Sequence, residues 1–425
     1  MEEQFLHYIW RYQYFERPLI GSKGESITVI NPGLHNTEAG PDFKDALIEI
    51  NNLRWAGHVE IHKSASEWHS HGHHKDEAYK NVVLHVVWDD NKEVLRQDGT
   101  PITSVSLKNK IDPNHYKQYQ SLLKSENDIP CSNSLNRVDL LTKVSLLDGV
   151  VMERLIAKSS LVNQMLQQSN GDWDEVTYRL IARNFGFNTN SEAFLALAKS
   201  VPFRTASKLS KSLVQLESVF YGQAGFLEKD HQGDYFSELK REYLFYRHKY
   251  DLGDQLPSHL WKFLRLRPAN FPTIRIAQFC QLIFEVKHLF SWFTSSRSYN
   301  DIVSSLGVSQ SKFWRTHYDF DKVAERKIGG LGKSSIENII VNTVVPILVA
   351  YGKHLDQQEY IERALSFLRE VPSEKNRITR KWEQYNWQSK SALDSQGLIE
   401  LYNSYCSKNK CLVCSIGNKI IQSQV

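Results

Sequence analysis

The chain is short of most features that would settle its class quickly. It has 5 cysteines in 425 residues, too few for the disulfide framework of a small secreted protein. An excess of charge of one sign is missing as well. Lys and Arg number 52 against 48 Asp and Glu, a formal net charge of +4, so the chain is no passive coat for a polyanion and any nucleic-acid contact has to be local. No apolar run reaches the ~20 residues that span a bilayer. The longest, 339–350, is interrupted by Asn342 and Pro346. The start, MEEQFLH, carries acids where a secretory signal carries bases, and no apolar segment follows; a cytoplasmic protein with no membrane partner is expected. Fixed-period repeats and low-complexity linkers are absent, which argues against a solenoid. What is present is ordinary globular material, 41% hydrophobic, 12% aromatic and 24% charged, at a length suited to two or three domains.

The pattern changes near residue 110. Before it, strand-like runs occupy 27–30, 46–50, 55–62 and 81–88, and a hairpin is expected from 93–95 and 102–107 around Gln97-Asp98-Gly99-Thr100. Phe5, Ile9 and Tyr12 recur at helical spacing over 3–15, and 74–80 has room only for a short helix. The order is therefore αβββαβ. After 110 the periodicity is helical over 138–168, 175–184, 191–198, 207–220, 235–249 and 272–293. Prolines 202, 257, 268, 272 and 372 fall near the ends of these segments, while Pro346 is expected to kink an apolar helix. The expected class is α+β: a mixed-sheet domain over 1–110, a large all-α domain over 111–400 and a cysteine segment over 401–425.

Chemistry concentrates between residues 40 and 85. Gly40-Pro41-Asp42-Phe43 leads into one strand, and Gly57-His58-Val59-Glu60-Ile61-His62 ends the next. Strand alternation puts His58, Glu60 and His62 on one face, with Val59 and Ile61 on the other. If the two strands are neighbours, Asp42 approaches Glu60 and makes the two-carboxylate site that hard divalent cations prefer. The αβββαβ order, Pro41-Asp42 and Glu60-Ile61-His62 together resemble the PD-(D/E)XK nuclease core, the restriction-endonuclease-like fold. The resemblance implies Asp42 and Glu60 as catalytic Mg²⁺ or Mn²⁺ ligands, the Ile61 carbonyl as a further ligand, and an auxiliary acid from the first helix, Glu3 ahead of Glu38. His62 stands where that superfamily has Lys. A histidine can act as base or ligand, but it supplies no permanent positive charge.

Seven of the 16 histidines (His58, His62, His69, His71, His73, His74 and His85) fall in this stretch, a density that suits a transition-metal site. His58, His69 and His71 are the candidate ligands among them, and His73 and His74 read as solvated loop residues. His58-x-Glu60 with Cys411-x-x-Cys414 also mimics a zinc deaminase signature. It fails on context, because the pairs lie far apart and no proline precedes Cys411.

Cys406-x4-Cys411-x2-Cys414 is a second metal-type constellation, and Cys131 is a remote candidate for its fourth thiolate. The split arrangement is similar to that of iron-sulfur-stapled nucleases of the same superfamily, which implies an iron-sulfur cluster; Zn²⁺ is the alternative. Cys280, alone in a helical run, is expected in the core. In the helical half, Arg267 and Arg275 flank Pro268 and Pro272 at a helix start, and Lys333 lies in Gly329-Gly-Leu-Gly-Lys-Ser-Ser335. Arginines beside a helix N-terminus can hold phosphates, which makes Arg267, Arg275 and Lys333 the candidate nucleic-acid contacts. The glycine-rich run lacks the first glycine of a P-loop and fits a plain interhelical turn.

Over its whole length the chain resembles an uncharacterised bacterial family known only as a domain of unknown function. Asn36 to Phe43, Gly57 to His62, Trp68 to His73, Tyr79 to Val87, Arg267 to Pro272 and Cys406 to Gly417 carry that resemblance. The leading expectation is a metal-dependent nuclease acting on DNA or RNA. The rivals are a non-catalytic nucleic-acid or protein-binding module on a degenerate nuclease core, and a zinc-dependent hydrolase using the histidine loop. Oligomeric state is not legible.

Overall fold

Seven strands form one mixed sheet in the N-terminal part of the chain: β1 (Leu19–Ile20), β2 (Ser26–Asn31), β3 (Leu34–His35), β4 (Phe43–Ile50), β5 (Leu53–Ser64), β6 (Val82–Asp89) and β7 (Thr103–Ser106). This is a computed structural model, and it describes residues 1–423. The sheet order is β1-β2-β4-β5-β6-β7, with β3 paired to β4. From β1 to β5 neighbouring strands run antiparallel, and β5-β6 and β6-β7 are parallel. A parallel neighbour needs a crossover, and residues 65–81 supply one from the four-residue helix Glu67–Ser70 (α2) and two 3-10 turns. The helix α1 (Glu3–Tyr12) buries Phe5, Leu6, Ile9 and Trp10, as its spacing predicts.

Strand burial explains the chemistry that follows. In β6, flanked by strands on both sides, Val82, Leu84, Val86 and Val87 are buried, as expected of a parallel strand covered on both faces. Gly57, where β5 begins to run beside β6, is required by close approach, because a Cβ there would sit 2.5 Å from the Asn81 carbonyl oxygen. The terminal hairpin is not formed as expected. Only a single bridge, Leu95 to Pro101, closes that turn, and β7 instead extends the sheet parallel to β6.

Two compact units divide the chain: residues 1–146 together with 401 onward, and residues 147–400. Residues 111–146 and the C-terminal cysteine segment thus pack with the sheet, where the sequence pattern alone had set the boundary near 110 and left the cysteine segment apart. The second unit is helical, with a continuous core running from Val151 to Ala392. Two expected helices are each broken: 207–220 becomes Phe203–Leu209 and Leu213–Gln223, and 272–293 becomes Pro272–Glu285 and Leu289–Ser295. Cys280 is fully buried in the core. The helix Lys333–Leu355 is long and apolar enough to cross a bilayer by length and composition, but 78% of its apolar window is buried in the protein. Pro346 does not break it. A π-helical stretch, Ile340–Val344, precedes the proline and accommodates the backbone bond it cannot make.

Candidate metal centre

β4 and β5 are antiparallel neighbours with Phe43 opposite Val59, which brings Asp42, one residue before β4, beside Glu60. The two segments clasp reciprocally. The Asp42 amide donates to Glu60 Oε2 at 3.1 Å, and the Ile61 amide donates to Asp42 Oδ2 at 2.9 Å. One oxygen of each carboxylate is thereby held by backbone, and Glu60 Oε1 is left to face imidazoles. His73 Nε2 lies 3.2 Å from it and His62 Nε2 3.5 Å. His62, His71 and His73 each present a ring nitrogen, and these three atoms lie within 4.8 Å of one another.

A second layer fixes the rings. His62 Nδ1 and His85 Nε2 are 2.8 Å apart, so the nitrogen of His62 on the Glu60 side is set by a bond made with the other. Tyr79 stacks on His73 with centroids 3.9 Å apart, and Trp68 abuts the rings of both His73 and His85. Trp68 and Tyr79 belong to a small apolar cluster with Ala65, Val82, Val87, Val94 and Ile102, which anchors the crossover against the sheet.

Burial shapes the electrostatics. Glu60 is 4% exposed, and desolvation pushes its pKa up, helped by the Asp42 charge and opposed by the hydrogen bonds from His73 and the Asp42 amide. Burial, then the neighbouring His73 and His71, pull His62 down to about 4, so it is neutral at pH 7 and has a lone pair to offer. His85 is lowered further, again by burial first. His7 differs. Burial lowers it, but the hydrogen bond and charge of Asp42, with Glu3 and Glu60 behind, outweigh that and raise it; its Nε2 lies 3.3 Å from Asp42 Oδ2.

Three imidazoles, with the Glu60 carboxylate against two of them and a second layer behind, are a donor set for Zn²⁺ or Mn²⁺ more than for Mg²⁺, which favours oxygen ligands throughout. The remaining candidates fall in different places. His58 is off the group: its Nδ1 accepts from the Asp45 amide at 3.3 Å, where β4 carries an extra residue between Phe43 and Ala46 opposite Val59 and Gly57. His69 packs on His74 at 4.9 Å and lies outside the group of three. Glu3 acts on this region through its charge on His7, and Glu38 is exposed.

His73, expected as a solvated loop residue, is instead held between Glu60 and the Tyr79 ring, and His85 and His7 complete the arrangement without having been singled out. For His85 a signal existed, since a lone polar residue inside Val82-Val-Leu-His-Val-Val87 breaks an otherwise apolar buried strand. His7 left none beyond its position on an amphipathic helix.

A family model described as Protein of unknown function (DUF2851) matches residues 3–377. The chain belongs to that family. No curated protein and no solved structure matches it. Membership in DUF2851 assigns no chemistry, so function has to be argued from the site.

The cysteines make a second cluster in the same unit. Cys131, Cys406, Cys411 and Cys414 are all buried and none is in a disulfide. Burial raises all four thiols, Cys411 to about 12, and they act on one another's charge: Cys131 feels Cys414 and Cys411, and Cys406 feels the other three. The amides of Ile416 and Gly417 face the Cys414 sulfur and favour its thiolate. Gly417 packs so tightly that a Cβ would lie 2.1 Å from the Cys411 carbonyl oxygen. Among the basic candidates, Arg275 is buried, Arg267 is exposed, and Lys333 is exposed with Glu337 3.9 Å away.

Proposed function

We propose that this protein is a metal-dependent phosphodiesterase acting on nucleic acid, built on a PD-(D/E)XK-like core. The observation that carries it is the convergence of Glu60 with His62, His71 and His73 beside Asp42, on a sheet whose antiparallel β2-β4-β5 meander is followed by a crossover to parallel β6. Glu60, His62, His71 and His73 would hold Mn²⁺ or Zn²⁺, with Asp42 adjacent. A cation bound there lowers the pKa of a water and offsets charge on a scissile phosphate. The chain's own contributions are separable from it. The Asp42 and Ile61 amides fix the two carboxylates, His85 orients His62, and His7, raised by Asp42, can carry the proton or positive charge that His62, in the place of Lys, does not supply.

The imidazole-rich set favours a second reading with the same reaction class, a zinc hydrolase of a small phosphodiester. One experiment separates them. Purified protein is assayed with Mn²⁺, Zn²⁺ and Mg²⁺ on single- and double-stranded DNA, on RNA and on a nitrophenyl phosphodiester. Cleavage of polynucleotide that is lost in Glu60→Gln and His73→Ala supports the nuclease; cleavage of the small ester alone supports the second reading. No cleavage by the natural protein, or equal cleavage by Glu60→Gln, leaves only a binding module and overturns the proposal.

For the cysteines we propose a structural iron-sulfur cluster. Tetrahedral zinc with Zn–S bonds of ~2.3 Å needs sulfurs ~3.8 Å apart. Among the described residues, the group of three ligand atoms within 4.8 Å is His62, His71 and His73, and no trio of these thiols joins it. The wider setting suits a cluster in which the thiolates bind different irons.

A further inference from the structure

In the helical unit a cavity of about 210 Å³ is lined by Phe187, Thr189, Asn270, Arg275, Ser334 and Ser335, among others. Two helices begin at its wall, Pro272–Glu285 and the continuous helix Lys333–Leu355. Neither has a side-chain cap: Phe271 and Gly332 occupy the N-cap positions, and the first amides bonded at the second helix are those of Ser335 and Ile336, to the Gly332 carbonyl. The amides of the first turn are the ones a helix leaves without internal partners.

Arg275 supplies the independent observation. It is 6% exposed and lines the cavity, and its Nε is buried with no partner. Its other nitrogens reach only neutral groups: Gln278 Oε1 at 2.9 Å, Asn270 Oδ1 at 2.6 Å and Ser335 Oγ at 3.2 Å. The Phe187 ring lies under the guanidinium at 4.6 Å. Burial is the only influence on its pKa, lowering it to about 10; no acidic side chain offsets the charge, and at neutral pH the group remains a cation. A buried cation without a counter-charge is costly, and an anion that enters its cavity removes that cost.

We propose that this cavity binds a phosphate group, either free inorganic phosphate or the phosphate of a nucleotide, with Arg275 as its counter-charge. The chemistry of the wall fits. A phosphate offers several acceptor oxygens, and the wall offers the positive charge of Arg275, the hydroxyls of Thr189 and Ser334, and two helix N-termini whose partial charge is positive. Ser335 accepts from Arg275, so its own O–H is free to donate into the cavity. Lys333, exposed and facing Glu337, is not part of it. The proposal does not depend on the metal centre.

Isothermal titration and thermal melting of the full chain test it, with inorganic phosphate, adenosine monophosphate, and sodium chloride at matched ionic strength as probes. Phosphate or the nucleotide should bind and raise the melting midpoint, and chloride should not. A response to both assigns the site to the phosphate group alone, and a response to the nucleotide only assigns it to a nucleotide phosphate. Arg275→Gln should weaken binding roughly tenfold or more, as expected for a charged hydrogen bond. Should that variant fail to fold, Ser335→Asp still decides, because it supplies an internal carboxylate to Arg275. It should melt above the natural protein in the absence of phosphate and no longer respond to it. No phosphate or nucleotide response in the natural protein, or an undiminished response in Ser335→Asp, overturns the proposal.

Discussion

The two units bury charge in opposite ways. The sheet unit gathers it: Glu60 faces His62 and His73, with His71 beside them, and four buried thiols act on one another's charge. The helical unit, besides the paired Glu175 and Arg179, holds two buried charges that stand alone. Glu217 is 1% exposed with the Tyr235 hydroxyl donating to it at 2.9 Å and no cation beside it, and Arg275 sits among neutral amides and a serine. A gathered set of soft or borderline donors has the chemistry of a metal site, since a cation satisfies all its members together. A solitary charge has two ways to become tolerable, giving up its ionisation or finding a mobile counter-ion. Glu217 takes the first course, raised by burial to about 7. Arginine titrates too high for that, which leaves Arg275 the second.

The largest effect that would break this contrast is expected at the thiols. If the four cysteines hold a cluster, Cys411→Ser should abolish bound iron. A cross-link closing so long a stretch of chain is worth on the order of 4 kcal/mol, which is a fall in melting midpoint of about 10 °C. Metal analysis beside calorimetry checks it, and an unchanged midpoint in a protein that never held iron would put the thiols with the solitary groups.

Glu217 gives the next largest effect. Its folded pKa lies above the ordinary 4.5, so the folded state holds the proton more tightly than the unfolded one. The favourable contribution is complete below pH 4.5 and is lost as the pH rises to about 7. Glu217→Gln keeps the Tyr235 bond and removes the titration. Urea denaturation should therefore show the variant and the natural protein equal near pH 4.5, with the variant ahead by roughly 3 kcal/mol above pH 7. Parallel curves at every pH would mean that Glu217 stays ionised in the fold.

The contrast also explains what was legible in the sequence. Asp42 and Glu60 could be paired because strand periodicity and a Pro-Asp start fix two neighbours locally. The mixed sheet followed by a helical region was likewise readable from the change of period near residue 110. Choosing among adjacent histidines was another matter. His73 and the exposed His71 join His62 while His69 and His74 pack on each other, and that depends on the turn geometry of α2 and on stacking with Tyr79, contacts that no periodicity encodes. His58 is taken instead by the Asp45 amide at an irregularity in the neighbouring strand β4, to which an alternation argument along β5 is blind. In the helical unit, Arg275 was visible as a residue near a helix start, but its lack of an acidic partner is a tertiary fact.

The smallest and sharpest test lies within the histidine run itself. His85 makes no contact with Glu60 but fixes His62 through a 2.8 Å bond, whereas His69 belongs to a neighbouring pair. His85→Leu should weaken Zn²⁺ or Mn²⁺ binding by roughly 10–100-fold, the usual effect of removing a group that orients a ligand. His69→Ala should leave affinity within about twofold, as a surface change away from the donors does. Titration of the metal-free protein reads both, with circular dichroism confirming the fold. The reverse order, with His69 mattering and His85 silent, would move the metal out of the Glu60 group to the His69 and His74 pair, and the sheet unit would then bury its glutamate as the helical unit does, by protonation.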